Sequence, residues 1–247
     1  MYTLHSAFSS VANYLSGDGS LLILATPEIG AGPGVITVHT LPDPLPSHFE
    51  EKPAPDPAIP SYDPKLPSEM RAPLPAEVEP IIRTLAPRWT DSLAYHLWNP
   101  ETPASGLERK LADQFVQGAN ELRAGSFSHG TKMMLNGLGP GLTPAGDDFL
   151  CGFLWALSLF NDMADVRKAI YSNVQSGNHL VRHFMQAAYE GLFFEHFKNF
   201  TMAVCTGDPD AVHNAFQRVR CHGATSGLDT AAGLCWAFRH YPFQEVS

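Results

Sequence analysis

The apolar positions of the chain change period once, near residue 75. Upstream of that point, Ser20-Leu21-Leu22-Ile23-Leu24-Ala25 is a compact apolar run, and Gly34-Val35-Ile36-Thr37-Val38-His39 alternates with β-branched residues. Both patterns predict strands. Between them, Gly30-Ala31-Gly32-Pro33-Gly34 predicts a turn, either a hairpin or a wider connection. The remainder of residues 1–40 reads as β with a short helical piece. Downstream the spacing becomes helical: Val78, Ile81, Ile82 and Leu85 form one stripe, and Trp89, Leu93, His96 and Leu97 another. Ser105-Gly106-Leu107-Glu108 is a capping box that opens a helix to about Ala124, with Leu107, Leu111, Phe115, Ala119 and Leu122 facing inward. Gly125 stops it, and residues 126–143 read as a loop. Phe149 to Phe160 is almost wholly apolar, the pattern of a helix buried on every side. Further helices are predicted at 165–174, at 179–205 with a break near Gly191, from Asp208-Pro209 (N-cap followed by Pro at N1) to Arg220, and from Ser226 to near Tyr241. Strands come first and helices afterwards, without β–α alternation, which makes the fold class α+β. The predicted division is 1–74, a β-containing N-terminal portion with a proline-rich extended segment, and 75–247, a mainly helical portion.

Composition changes this picture at three points. Residues 42–80 hold twelve of the 21 prolines, so few of them fit a regular helix or a central strand. The same stretch carries Phe49, Ile59, Tyr62, Leu66 and Met70, so an extended segment laid over the surface, with an edge strand or two, is expected rather than a free linker. The charge balance of 16 basic against 25 acidic residues, net −9 with no basic cluster, argues against nucleic acid and anionic membranes as partners. The four cysteines are scattered with no C-x-x-C, and Cys151 and Cys235 lie in apolar helices, as in a reducing cytosol. MYTLHSAFSSVANYL lacks the basic and long apolar regions of a secretory signal, and no apolar run is long enough to span a bilayer. A cytoplasmic protein is expected.

The chemistry gathers at Leu135–Leu157, LNGLGPGLTPAGDDFLCGFLWAL. Gly137, Gly139 and Gly141 run through Thr143-Pro144 into the adjacent acids Asp147 and Asp148, which open the apolar helix. The pattern G-x-D-x-x-x-G-x-x-W-A recurs: Gly146, Asp148, Gly152, Trp155 and Ala156 return 81 residues later as Gly227, Asp229, Gly233, Trp236 and Ala237. Helix capping is the plain explanation for Asp148 and Asp229, since Ser226-Gly227-Leu228-Asp229 fits a capping box, although Ala145 stands where the first copy would need serine. Asp147 aligns with Leu228, so capping does not explain it. The candidate catalytic residues are Asp147, Asp148 and Asp229; the candidate ligand-binding residues are Gly139, Gly141, Thr143, Gly146, Ser226 and Gly227. Leu142 breaks a G-x-G-x-x-G dinucleotide fingerprint. Gly141 to Gly146 has P-loop spacing, but Asp147-Asp148 replace the Lys-Ser/Thr pair, and a phosphate there would meet two negative charges. Two options stay open: a Mg²⁺ bridges phosphate and carboxylates, or the aspartates hold a hydrogen-bond donor such as a carbamoyl or amide NH₂. His129 and His222 are candidate bases upstream of the two motifs, with ordinary loop histidines as the alternative. His5-Ser6 reads as a partly buried histidine near the start, and Arg182-His183 as the polar face of an amphipathic helix.

The run GLGPGLTPAGDDFLCG and the later GATSGLDTAAGL closely resemble the AllH-like family, whose namesake is a subunit of a bacterial oxamate carbamoyltransferase. His5-Ser6 and Ala187-Ala188-Tyr189-Glu190-Gly191 also look family-like. Two features depart from the family pattern: Ala145 stands where serine is usual, and the segment between Leu41 and Pro87 is unusually rich in proline. The resemblance implies a cytosolic protein of allantoin and purine nitrogen metabolism that works with other carbamoyltransferase subunits. Its small anionic substrate would be oxamate or oxalurate with carbamoyl phosphate. Two other classes remain beside it: a non-catalytic ligand-sensing or assembly subunit, and a stand-alone Mg²⁺-dependent hydrolase using the same aspartates.

Overall fold

The computed structural model describes residues 1–101, 106–135, 138–139, 142–174 and 178–242. Its N-terminal part is a five-stranded sheet of β1 (Tyr2–Ala7), β2 (Val11–Ser16), β3 (Leu21–Ala25), β4 (Val35–Thr37) and β5 (His48–Phe49), in the order β4-β3-β2-β1-β5. β1 pairs antiparallel with β2 and β5, and β2 with β3, whereas β4 runs parallel to β3. The glycine-rich turn is therefore a wide connection and not a hairpin, because a parallel neighbour cannot be reached by a tight turn. The short helical piece expected in residues 1–40 is absent from the described chain: 2–7 and 11–16 are strands, held by the ladder between them. β5 is the edge strand expected in the proline-rich segment.

Beyond the sheet the chain is helical: α1 (Pro75–Leu85), α2 (Tyr95–Trp98), α3 (Gly106–Arg123), α4 (Phe127–Met134), α5 (Ala145–Leu157), α6 (Ala164–Ser172), α7 (His179–Glu190), α8 (Glu195–Thr206), α9 (Pro209–Arg220) and α10 (Ser226–His240). The class is α+β, as the order of periodicities predicts. The break near Gly191 is real, with that glycine capping α7 in a left-handed conformation. Two expectations on the α3–α4 stretch are corrected. Residues 126–143 are not all loop, because α4 forms there; its packing on α3, where Gln114 donates to the Met133 carbonyl (2.9 Å), supplies what its weak sequence pattern does not. Leu107 is exposed rather than inward, since it lies on the first turn of α3, before the helix meets the core at Ala112. The capping serine assigned to that helix, Ser105, lies outside the described residues.

The proline-rich segment straps the sheet portion to the helices. Phe193 N–H donates to the Pro64 carbonyl (2.8 Å), the Tyr62 hydroxyl donates to the Phe193 carbonyl (3.0 Å), and Lys198 Nζ donates to the Asp63 carbonyl (2.8 Å). Extended chain satisfies its backbone here by bonding to the α7–α8 turn. The Gly30–Gly34 connection docks beside it: Ala31 N–H donates to Glu195 Oε2 (2.8 Å) and the Ala31 carbonyl accepts from Glu195 N–H (2.8 Å).

At the start of α9 the Asp208 carboxylate accepts from the N–H groups of Asp210 (2.9 Å) and Ala211 (3.2 Å), with Pro209 at N1. Asp208→Ala leaves those donors to water and is expected to lower stability by about 1 kcal/mol, read from the urea midpoint. An unchanged midpoint would mean that α9 starts independently of its cap.

The centre of the molecule is the pair α5 and α10. Every residue of α5 is buried, and so is α10 from Gly227 to Phe238. The two backbones touch at glycines: a Cβ on Gly152 would sit 1.8 Å from the Thr230 carbonyl oxygen, and a Cβ on Gly233 would sit 1.9 Å from that of Phe149. These contacts are one contact seen twice, since the 81-residue offset carries Phe149 to Thr230 and Gly152 to Gly233. Trp155 and Trp236 are both in the core. Trp155 Nε1 donates to the Leu192 carbonyl and Trp236 Nε1 to the Ala119 carbonyl, each at 3.0 Å.

Candidate acid site at the paired helix starts

Because α5 and α10 cross at glycines, their N-terminal turns come side by side and bring residues far apart in sequence together. Thr143 Oγ1, just before α5, lies 2.8 Å from Ser226 Oγ on the first turn of α10. The first turns of α5 and α10 carry three buried acids. Asp147 and Asp148 are 5% and 6% exposed, and Asp229 is fully buried. Each has one oxygen without a hydrogen-bond partner among the described residues: Asp147 Oδ1, Asp148 Oδ2 and Asp229 Oδ2. Native structures seldom leave buried polar atoms unpaired, so all three require a reason.

Burial pushes the Asp147 carboxyl up to about 7. Burial also lifts Asp148 well above the ordinary range, helped by the charge of Asp229 and opposed by the hydroxyls of Ser226 and Thr143. Asp229 is raised to about 7 by burial, against the pull of the Ser92 and Thr225 hydroxyls and the Ala94 N–H. Desolvation dominates for each acid, and hydroxyl donors moderate it for Asp148 and Asp229. Asp147 and Asp229 therefore exchange protons near neutral pH. Each can donate a hydrogen bond when protonated or accept one when ionised.

Capping does not account for them. Pro144 is the N-cap of α5 and Thr225 that of α10, and neither makes a side-chain cap bond. Asp229 accepts at Oδ1 from the Ser92 hydroxyl, across 137 residues of sequence. Sequence reasoning missed Ser92, which carries no motif of its own. Its placement depends on Trp89, a buried residue of the second helical stripe, whose Nε1 donates to the Leu228 carbonyl (2.7 Å) and pins the 89–94 connector to α10.

The candidate glycines divide. A Cβ on Gly146 would lie 2.2 Å from the Met134 carbonyl oxygen, and one on Gly227 1.8 Å from that of Val219, so both allow a helix start to lie on preceding backbone. That packing explains them without a ligand. Gly139 adopts φ +103° against Ala145, and Gly141 lies outside the described residues. The candidate bases do not join the acids as donors or acceptors among the described residues. His129 is exposed on α4, and the His222 ring packs against Phe197 and His196, where burial and the neighbouring His196 lower it to about 4. His183 Nε2 bonds to the Pro33 carbonyl (2.9 Å). His5 is exposed on β1 rather than partly buried, with Nδ1 3.2 Å from Ser6 Oγ.

Among the described residues no three His, Cys, Asp or Glu side chains converge in a way that could hold a metal ion, so a Mg²⁺ here would need oxygens from its ligand. Among the described residues, too, no helix is long and apolar enough to cross a membrane. Two open clefts, one between α8 and α9 and one on α3, are lined by none of the candidate residues.

The arrangement defines a class: an α+β protein in which two buried, acid-bearing helix starts are joined at glycines. Residues 135–238 match the family model described as oxamate carbamoyltransferase subunit AllH, and that stretch contains both acid-bearing helices. The resemblance carried by the glycine–aspartate motif is thus shown over this segment. Neither a curated protein nor a solved structure matches the chain.

Proposed function

We propose that this chain is a subunit of a cytoplasmic carbamoyltransferase of the oxamate type, acting in allantoin and purine nitrogen breakdown, and that its ligand binds at the paired starts of α5 and α10. The observation that carries the reading is the set of three unpartnered carboxyl oxygens beside two helix N-termini that lack side-chain caps. A helix start favours the anionic end of a small molecule through its N–H groups and partial positive charge. The carboxyl oxygens repel a bare dianion but accept from an amide or carbamoyl NH₂. Oxamate, oxalurate and carbamoyl phosphate each have both ends, and the AllH match over residues 135–238 supports the same substrate class.

In the transfer, the carbamoyl carbon of oxalurate is attacked by a phosphate oxygen and its bond to the oxamate nitrogen breaks. The products are carbamoyl phosphate and oxamate, and the departing nitrogen gains a proton. Carboxyls poised near 7 suit that proton's movement, with Asp147 and Asp229 as the groups that donate or take it up. Thr143 and Ser226 bridge the two helix starts and flank the anionic end. Other subunits of the enzyme are the expected partners.

The test is formation of oxalurate from carbamoyl phosphate and oxamate, measured on the purified chain alone and with its co-purifying subunits. Activity that requires this chain, and is lost in Asp147→Asn or Asp229→Asn, supports the proposal. Full activity of the remaining subunits without it would return the chain to an assembly role.

A further inference from the structure

We propose that Ser92 is a positioning residue that fixes which oxygen of Asp229 meets the ligand. The assignment rests on the reading of Asp229 as part of the ligand site, and its geometry comes from the 89–94 connector. Ser92 is buried, and its Oγ accepts from the Ala94 N–H at 3.0 Å. A serine hydroxyl has one hydrogen, and that hydrogen is directed to Asp229 Oδ1. Oδ1 is therefore an acceptor in both protonation states. The Asp229 proton, when present, resides on Oδ2, the oxygen with no partner among the described residues. Asp229 thus presents one face to the site: an O–H when protonated, a lone pair when ionised, always at Oδ2. Trp89 Nε1, bonded to the Leu228 carbonyl, keeps the connector from drifting relative to α10.

The partner acid is held differently. Asp148 is acted on by hydroxyls from the two helix starts, Thr143 and Ser226, whereas Asp229 has, besides the Thr225 hydroxyl at the start of α10, a donor from the connector, Ser92. The connector therefore distinguishes two acids that the 81-residue repeat makes equivalent. The titratable neighbour coupled to Asp229 from α5 is Asp148; the connector contributes the Ser92 hydroxyl and the α9–α10 turn the Thr225 hydroxyl. Asp91, also on the connector, is exposed.

A hydroxyl that donates to a carboxylate stabilises its ionised form, so losing it moves the titration upward. The test is ¹³C NMR titration of the aspartate carboxyls in the full chain, with Asp229→Asn identifying the Asp229 signal. Ser92→Ala is expected to raise the Asp229 midpoint by about one to two pH units, and Ser92→Thr to restore it. Ser92→Cys, close in size but a weak donor, should fall between the two and serves if the alanine variant does not fold. An Asp229 midpoint unchanged in folded Ser92→Ala or Ser92→Cys would overturn the assignment. The titration needs no ligand, so it is independent of the substrate reading. If the midpoint shifts but oxamate does not bind the wild type, the positioning stands and the carbamoyltransferase reading fails.

Discussion

Gly152→Ala is expected to destabilise the chain by about 3 kcal/mol or more, with Gly233→Ala close behind. At each position the added methyl would lie within 2 Å of a backbone carbonyl oxygen on the opposite helix. A flexible side chain could swing aside, but backbone in a helix buried along its length cannot move without shifting its own core contacts. The helices would have to separate, and the Thr143–Ser226 bridge and the acids on their first turns would separate with them. Urea unfolding should show the loss in both variants. Gly17→Ala, where a Cβ has open space around it, should leave the midpoint nearly unchanged. A Gly152→Ala protein as stable as the wild type would mean that α5 and α10 do not meet as described.

The second large effect has the opposite sign. Asp229→Asn is expected to stabilise the protein at pH 8 while weakening its ligand binding. The folded-state value of Asp229 is raised, from 3.8 to about 7. Its contribution to stability is therefore fully present below about 4 and is lost as pH rises toward 7, because the unfolded chain releases the proton first. Asparagine resembles the protonated acid, with an oxygen to accept from Ser92 and an NH₂ where the Oδ2 proton resides, and it has nothing to ionise. The gain over wild type should be on the order of 2–4 kcal/mol at pH 8 and only about 1 kcal/mol at pH 4.5, read from urea midpoints. A variant less stable than wild type by the same margin at both pH values would show that Asp229 serves only structure. Stability gained by neutralising a residue, with function lost, is the mark of a site kept at a cost to the fold.

The order of elements was legible in the sequence because periodicity reports burial. The stripe Val78, Ile81, Ile82, Leu85 is buried, and the unbroken apolar run after Asp148 became a helix buried on every face. Asp208-Pro209 stated its own helix start. What escaped depended on distant partners. No helical piece forms in the described residues 1–40, because β1 pairs with β2 and β2 with β3, and α4 is held by α3. Likewise, Asp147, Asp148 and Asp229 could be singled out from one line of sequence, but capping was the plainest account of two of them. Only the approach of the connector shows Asp229 turned to Ser92 instead. Gly146 and Gly227, grouped with a ligand loop by their place in the motif, prove to face carbonyls of preceding backbone.

The central claim is that the unpartnered acids at the helix starts accept the NH₂ end of a small anion. Isothermal titration calorimetry with oxamate, and with carbamoyl phosphate in the presence and absence of Mg²⁺, tests it most directly. It should be run on the wild type, Asp147→Asn and Asp229→Asn with the partner subunits present. The account predicts heat of binding in the wild type, a loss of tenfold or more in affinity in either variant, corresponding to about 1.4 kcal/mol, and an effect of Mg²⁺ on the phosphate-bearing ligand alone. No heat with either ligand, or binding that both variants leave intact, would contradict it.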